Sequence, residues 1–187
     1  LQARDRFEDE PRKRTFILPF LNLSGERSDS VAESGRKALV KSLQAAKAFV
    51  LIERSEFPKD PKSYRVNDQY DLDAVAKVAS GMGVALVIEG RILEIKARRL
   101  GDQVGVLRKV KARMDAKVAI RVVGSKQNRE LLNEIREATI ESTTTRFGSY
   151  AYNDKNLEED PELIDQVVQK AVRSVIPSIV AVSRKIS

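Results

Sequence analysis

The side chains that most often do acid–base and nucleophilic chemistry are missing from this chain. Its 187 residues include no His and no Cys, which removes the commonest general base and every thiolate nucleophile or ligand. Two carboxylate clusters remain as metal-site candidates, Glu158-Glu159-Asp160 and Asp68/Asp71/Asp73. Neither has the spacing of a Ca²⁺ loop, and both precede or open a predicted helix, where carboxylates complement the dipole. Helix capping is the favoured interpretation, and we expect no catalytic residue, metal or cofactor.

Two glycine-containing segments offer candidate ligand loops. Gly81 and Gly83 follow a predicted helix and open a strand, whereas a dinucleotide fingerprint follows a strand and opens a helix. Asn22-Leu23-Ser24-Gly25 does lie between a strand and a helix N-terminus, where an anion could bind. That loop holds no Lys or Arg, however, and Glu26 and Asp29 would repel phosphate. A helix stop and a structural turn are the favoured interpretations.

A row of basic residues is the strongest candidate for ligand binding. From 109 to 123 the residues alternate with a period of two, which predicts a half-buried antiparallel strand. One side is apolar and carries Met114, Ala116, Val118, Ile120 and Val122. The other side, called here the basic face, carries Lys109, Lys111, Arg113, Lys117 and Arg121. It could follow a phosphate backbone, but no aromatic residues interleave it, as single-strand binding requires. A solvated sheet face is favoured, and binding of an acidic polymer or nucleic acid stays open as the alternative.

The elements that position these residues alternate between strand and helix. We predict strands at about 15–23, 49–53, 84–92, 109–123 and 131–147, helices at about 29–47 and 72–80, and a loop at 54–70. Pro19 predicts an edge position or a bulge in the first strand. This layout predicts an α/β fold with one mixed sheet of about five strands and helices packed on it. The residues expected deep in its core are Ile17, Leu18, Phe20, Leu51, Leu86, Ile88 and Ile120.

A long C-terminal helix completes the predicted fold. Asp160 is the expected N-cap, Pro161 lies in the first turn, and Pro177 should kink or divide the helix. Its apolar stripe is unusually wide, which predicts burial against the sheet with part of the stripe facing a neighbouring subunit. The candidate subunit interface consists of Val168, Val172, Val175 and Ile179.

The overall composition suits one soluble domain. The chain is 42% apolar and 33% charged, with a formal net charge of +7, and its length allows a sizeable core. Residues 1–13 are highly charged and predict a flexible linker. Because the sequence begins at Leu1, we interpret it as a mature protein or a trimmed one.

Several of these segments together resemble a bacterial envelope family. They are ILPFLNLSGE, FVLIERSEF, DLDAVAKVASGMG, VALVIEGRI, KVAIRVVGSKQNRELL and EDPELIDQVVQKAVRSVIPSIV. The pattern is similar to that of the CsgG-type curli-secretion lipoproteins and of the amino-terminal domain of TolB. The resemblance covers roughly residues 14–182, so that 14–187 is predicted to be one CsgG/TolB-N-like α/β domain.

The resemblance implies a protein without enzymatic activity, located in the periplasm at the outer membrane, often through a lipid anchor, and assembled into rings. The family's secretion pore inserts two long β-hairpins per subunit, which here would fall near 96–112 and 135–150. The first segment is predicted to be too charged and too short to span a membrane, and the second is rich in Glu and Thr with few apolar outward positions. The expected function is a structural or adaptor component of secretion, motility (including flagellar) or cell-wall machinery. Its expected partners are further copies of itself and other envelope proteins, and nucleic acid is not expected.

Overall fold

The computed structural model describes residues 11–25, 29–104, 107–147 and 161–186, with 99–112 and 142–147 as backbone only. Strands and helices alternate through the first half of the chain, and long strands followed by helices form the second. In chain order they are β1 (Lys13–Ile17), β2 (Leu21–Asn22), α1 (Asp29–Ala45), β3 (Phe49–Leu51), β4 (Arg65–Val66), β5 (Gln69–Tyr70), α2 (Leu72–Gly81), β6 (Leu86–Val104), β7 (Leu107–Gly124), β8 (Arg129–Phe147), α3 (Pro161–Ser174) and α4 (Ile176–Ser183).

One mixed sheet organises the fold, as predicted. It is six-stranded in the order β3-β1-β6-β7-β8, with β2 also paired to β6. The pairs β1–β3, β1–β6 and β2–β6 are parallel, whereas β6–β7 and β7–β8 are antiparallel. The parallel half is built by crossover helices, and the antiparallel half by tight connections between long strands.

Pro19 interrupts the first strand at the centre of the sheet. β1 lies between β3 and β6, so the alternative of an edge position is wrong. The alternative of a bulge agrees with the register, since Ile17 pairs with Ile88 and Leu21 with Arg91, which leaves one extra residue beside β6. The Leu18 N–H still donates to the Ile88 carbonyl at 2.9 Å, and pairing resumes when the Leu23 N–H donates to the Ile92 carbonyl at 2.8 Å. Pro19 has no N–H for the ladder, and its carbonyl instead accepts the Tyr70 hydroxyl at 2.8 Å.

The main hydrophobic core lies between the sheet and helices α1, α3 and α4. The apolar side chains that α1 buries there are those of Val31, Ala38, Leu39 and Leu43. The apolar side of β7 enters the same core, which confirms the predicted alternation in that strand. Six of the seven predicted core residues are buried. Leu51 is only partly buried, because β3 is a three-residue edge strand with a neighbour on one side only.

A second, smaller core lies on the other side of β1, where α2 packs. The buried residues of α2 there are Leu72, Val75, Ala76 and Ala79. The segment 54–70, predicted as a loop, folds into two 3₁₀ turns and the β4–β5 hairpin. Phe57 from this segment stacks on Phe16 with ring centroids 4.3 Å apart, so aromatic packing gives the segment its order. Beyond α2, the sheet face formed by β6, β7 and β8 is open and carries the basic face.

Two strands are longer than the sequence predicts. The strand predicted at 84–92 continues to Val104 as β6, and β7 begins at Leu107, so the two form one long hairpin. The expectation that the segment near 96–112 is short is therefore wrong. The sequence pattern does not predict that the strand continues. A register shift between Ile92 and Glu94 moves the inward positions from even to odd numbers, so the charged residues beyond it do not fit the first period-two pattern.

The C-terminal helix is divided at Val175, as Pro177 predicts. α3 ends at Ser174, and α4 begins at Ile176 with Pro177 in its first turn. The predicted N-cap, Asp160, lies outside the described residues, as does most of the predicted linker 1–13; Lys13 already belongs to β1. Among the described residues, no helix combines the length and the apolar character needed to cross a membrane.

Candidate functional site

The basic face runs along β7 between two strands that supply its neighbours. Arg113, Lys117 and Arg121 lie on one side of β7, opposite the buried apolar residues. Lys109 and Lys111 continue the row in the part described as backbone only, where they pair with Thr145 and Thr143 of β8. The structure therefore brings all five predicted positions onto one strand.

Acidic residues from the adjacent strands pair with two of the described members of the basic face, Lys117 and Arg121. The Lys117 Nζ lies 3.2 Å from a Glu137 carboxylate oxygen and 3.8 Å from one of Glu94. The Arg121 Nε lies 2.6 Å from Glu130. These acids belong to β6 and β8. Antiparallel pairing places Glu94 and Glu137 directly opposite Lys117, whereas Glu130 lies opposite Val123 and reaches Arg121 diagonally.

The part of the same face that lies toward the β6–β7 connection contains a small hydrogen-bond network. Arg113 lies 3.2 Å from Asp115 on its own strand, and Asp115 also accepts the Thr139 hydroxyl of β8. The Thr139 hydrogen bond, with the hydrogen bond from Arg113, lowers the pKa of Asp115. Asp115 is thus charged at neutral pH and offsets part of the local positive potential.

Glu89 is the one charged residue of this face that is deeply buried. Its side chain is 5% exposed and lies 3.3 Å from Arg91, near the edge of the α2 core. Burial raises the pKa of Glu89, while the positive charges of Arg91 and Arg121 oppose that rise. Glu89 therefore has a structural role, because its carboxylate lies near the positive charges of Arg91 and Arg121 beside the second core.

In the described part of the basic face, positive and negative side chains are therefore next to one another. A polyanion would have to displace the carboxylates that already hold Arg113, Lys117 and Arg121, which disfavours the acidic-polymer alternative. The sequence carries a signal for these acids that the prediction did not use. Glu137 and Glu141 lie four residues apart and therefore on one side of β8, and Glu94, Lys96 and Arg98 alternate along β6.

The loop and helix-end motifs have structural roles, as predicted. The Asn22 Oδ1 accepts from the Ser24 N–H at 3.1 Å, and Gly25 has a φ of 82°, so the loop closes on itself. Gly83 has a φ of 72° and follows the last turn of α2. The Asp71 carboxylate accepts from the Ala74 N–H at 3.2 Å and caps α2. In the part of the chain that the structure describes, no group of three or more acidic side chains is placed to hold a metal.

The four residues proposed for a subunit interface lie inside the chain's own core. Each is 0% exposed and packs with the sheet and α1, the set being Val168, Val172, Val175 and Ile179. Their burial against the sheet is as predicted, but a fully covered side chain adds no area to an interface. Their assignment to a subunit surface is therefore corrected to the core, and any interface near these helices must use other residues.

Comparison with known proteins gives the chain its family. The family described as "Curli production assembly/transport component CsgG" matches residues 9–183. No curated protein is similar enough in sequence to count as a match. Among solved structures, a hypothetical protein from Chlamydia trachomatis has 17% identity and a TM-score of 0.50, covering 90% of this chain and 96% of its own.

Two further structures are similar over most of their length. A lipoprotein from Neisseria meningitidis has 13% identity and a TM-score of 0.48, covering 88% of this chain and 99% of its own. The PelC dodecamer from Paraburkholderia phytofirmans has 11% identity and a TM-score of 0.45, covering 88% of this chain and 86% of its own. At 17% identity, the likeness to the structure from Chlamydia trachomatis shows the fold alone. The family match spans nearly the whole chain, and on that ground the protein belongs to the CsgG family.

Proposed function

We propose that this protein is a non-enzymatic structural or adaptor component of a bacterial envelope assembly, located in the periplasm at the outer membrane. The observation that carries the proposal is membership of a family described as an assembly and transport component, over residues 9–183. The residue types support it, because the chain has neither His nor Cys. Function is then expected in surfaces rather than in a reaction centre.

Homo-oligomerisation, with a ring as the proposed arrangement, is the second part of the proposal. β8 lies at one end of the sheet and pairs with β7 only, so among the described residues its outer edge has no strand partner. It is 19 residues long, and a long uncovered edge is a template for pairing with another chain. Ile135 projects from this strand and is 60% exposed. These features support a contact between β8 and a neighbouring copy.

The proposed component acts without membrane-spanning hairpins of its own. Strand length no longer argues against spanning, since β6 and β7 have 19 and 18 residues. The charge of the hairpin does argue against spanning a membrane, because both sides of the extended hairpin carry basic or acidic residues. The charged positions in that part of the sequence are Lys96, Arg98, Arg99, Asp102, Arg108, Lys109, Lys111 and Arg113.

Fractionation of cells that produce the protein from its own gene tests the proposed location. We expect it in the envelope fraction, co-sedimenting with outer membranes and released by detergent. High salt alone should not release it if the attachment is through a lipid. Recovery with the cytosolic enzymes would contradict the proposal.

A further inference from the structure

A cleft lies at the end of the sheet where the chain enters and leaves the fold. Its volume is about 390 Å³, and its walls come from the end of α2, the start of β6, the β7–β8 turn and the residues after α4. The partly exposed apolar surface within it comes from Ala85, Leu131 and Ile186. The cleft is separate from the basic face, which lies on β7 away from this turn.

Three cations line the cleft, and a fourth lies close to it. Lys126 and Arg129 flank the β7–β8 turn, and Lys185 follows α4. Arg14 approaches from β1, its Nη1 3.8 Å from the place a Cβ on Gly83 would occupy. No acidic residue lines the cleft within the described part of the chain. The cluster was not foreseen from sequence, because its members are distant along the chain.

These cations differ from those of the basic face in having no carboxylate beside them. Among the described residues, Lys126, Arg129 and Lys185 take part in no ion pair. The acids closest in sequence or space are used elsewhere. Glu130 pairs with Arg121, and Asp73 accepts from the Asn128 side chain at 2.7 Å. No carboxylate of the described residues therefore neutralises the positive charge at the cleft.

The walls of the cleft are held by hydrogen bonds across four segments. The Ser125 N–H donates to the Ala85 carbonyl at 2.9 Å, and the Ser125 hydroxyl donates to the Val84 carbonyl. The Lys13 ammonium donates to the Ile186 carbonyl at 2.6 Å, which ties the C-terminal segment to β1. The cleft is thus largely pre-formed, as small-molecule sites usually are.

We infer that this cleft binds a small organic anion, with a phosphate or carboxylate group among the cations and an apolar body against Ala85 and Leu131. Opposite charges and the lack of a competing carboxylate select the anionic group. The apolar wall selects an attached hydrocarbon body over a bare inorganic ion.

Two-dimensional NMR of the full chain with hexyl phosphate and with hexanoate tests this inference. At least one of these probes is expected to shift the amide signals of Gly83, Gly124 and Ser125 saturably at constant ionic strength. Inorganic phosphate should bind at least about tenfold more weakly than hexyl phosphate, because it lacks the apolar body. Hexan-1-ol, which lacks the charge, should give no saturable shift. Absence of saturable shifts at these amides with both anions would overturn the inference.

A charge-matched pair of variants separates a local site from general attraction. Lys126→Glu/Arg129→Glu should weaken binding of the anionic probe at least about tenfold, because charge-assisted contacts become repulsive. Lys37→Glu/Lys59→Glu changes net charge equally at exposed positions outside the cleft and should leave affinity within about twofold. Far-UV circular dichroism should be the same for both variants. Equal weakening by the two would overturn the inference.

Discussion

The ring of Phe20 occupies the space in which a side chain at Gly90 would lie. A Cβ built on Gly90 would overlap the Phe20 ring carbons, and one on Gly35 of α1 would lie 2.9 Å from the Phe20 Cδ2. Phe20 therefore fills a gap between β6 and α1 that two glycines create. The interruption at Pro19 places it there, because Phe20 follows the break between β1 and β2.

Gly90→Ala should destabilise the fold by about 1–3 kcal/mol, because the added methyl group overpacks a closed core. Urea unfolding followed by circular dichroism measures the change. Phe20→Leu removes the obstructing ring atoms, so the two substitutions together should cost less than the sum of the single ones. Strictly additive costs would show that Gly90 does not contact Phe20 as described.

Ile88→Ala should lower the free energy of unfolding by about 2–5 kcal/mol, since the side chain is fully buried at the centre of the sheet. Val66→Ala is the control, because Val66 is 60% exposed on the β4–β5 hairpin. Its cost should stay within about 0.5 kcal/mol. Similar costs in urea denaturation for both substitutions would contradict the central position of β6.

Glu89 should give the folded protein a pH dependence opposite to that of most carboxylates. Burial raises its pKa above the ordinary 4.5, so the folded state binds this proton more tightly than the unfolded state. Raising the pH from 4.5 through the raised pKa should therefore remove stability relative to Glu89→Gln, which cannot titrate. Urea midpoints for both proteins between pH 4 and 8 give the comparison. A wild type that gains stability relative to the variant as pH rises would show that Arg91 and Arg121 outweigh burial.

Reversing the basic face should have little effect on polyanion binding, because Arg113 and Lys117 are already paired with carboxylates. We expect wild type to bind a labelled DNA oligonucleotide or heparin only weakly at about 0.15 M salt. Lys111→Glu/Arg113→Glu/Lys117→Glu should retain the fold and lose about 1–2 kcal/mol of stability, since exposed ion pairs contribute little each. Lys37→Glu/Lys41→Glu/Lys59→Glu is the charge-matched control. Tight binding at that salt concentration, lost only in the first variant, would restore the acidic-polymer alternative.

The sequence predicts the sheet and its helices well wherever periodicity and turn residues agree. Asp71 and Gly83 mark the ends of α2, and Pro177 marks the division between α3 and α4. The ends of β6 and β7 were not predictable in the same way. One extra residue near Leu93 shifts the inward positions, so a single period-two pattern ends there while the strand continues.

The candidate surfaces were harder to predict, because their character depends on long-range pairing. The residues of β7 by themselves predict a positively charged face. Glu94 and Glu137 from the flanking strands, however, pair with Lys117. The apolar stripe of α3 that includes Val168 is wider than packing against a single element requires. In the folded chain, the sheet and α1 together cover it. The cleft at Lys126 and Lys185 has no local pattern, since only the folded chain brings these residues together.

Sedimentation of the purified full chain tests self-assembly through the β8 edge most directly. Wild type at micromolar concentration should sediment as a closed species with a mass several times 20.9 kDa. Ile135→Lys should shift the population to monomer, because a charge on the exposed edge strand opposes strand pairing. Val66→Lys, an equally exposed substitution on the β4–β5 hairpin, should leave the assembly unchanged. A wild type that sediments only as monomer at every concentration, with or without detergent, would contradict the account.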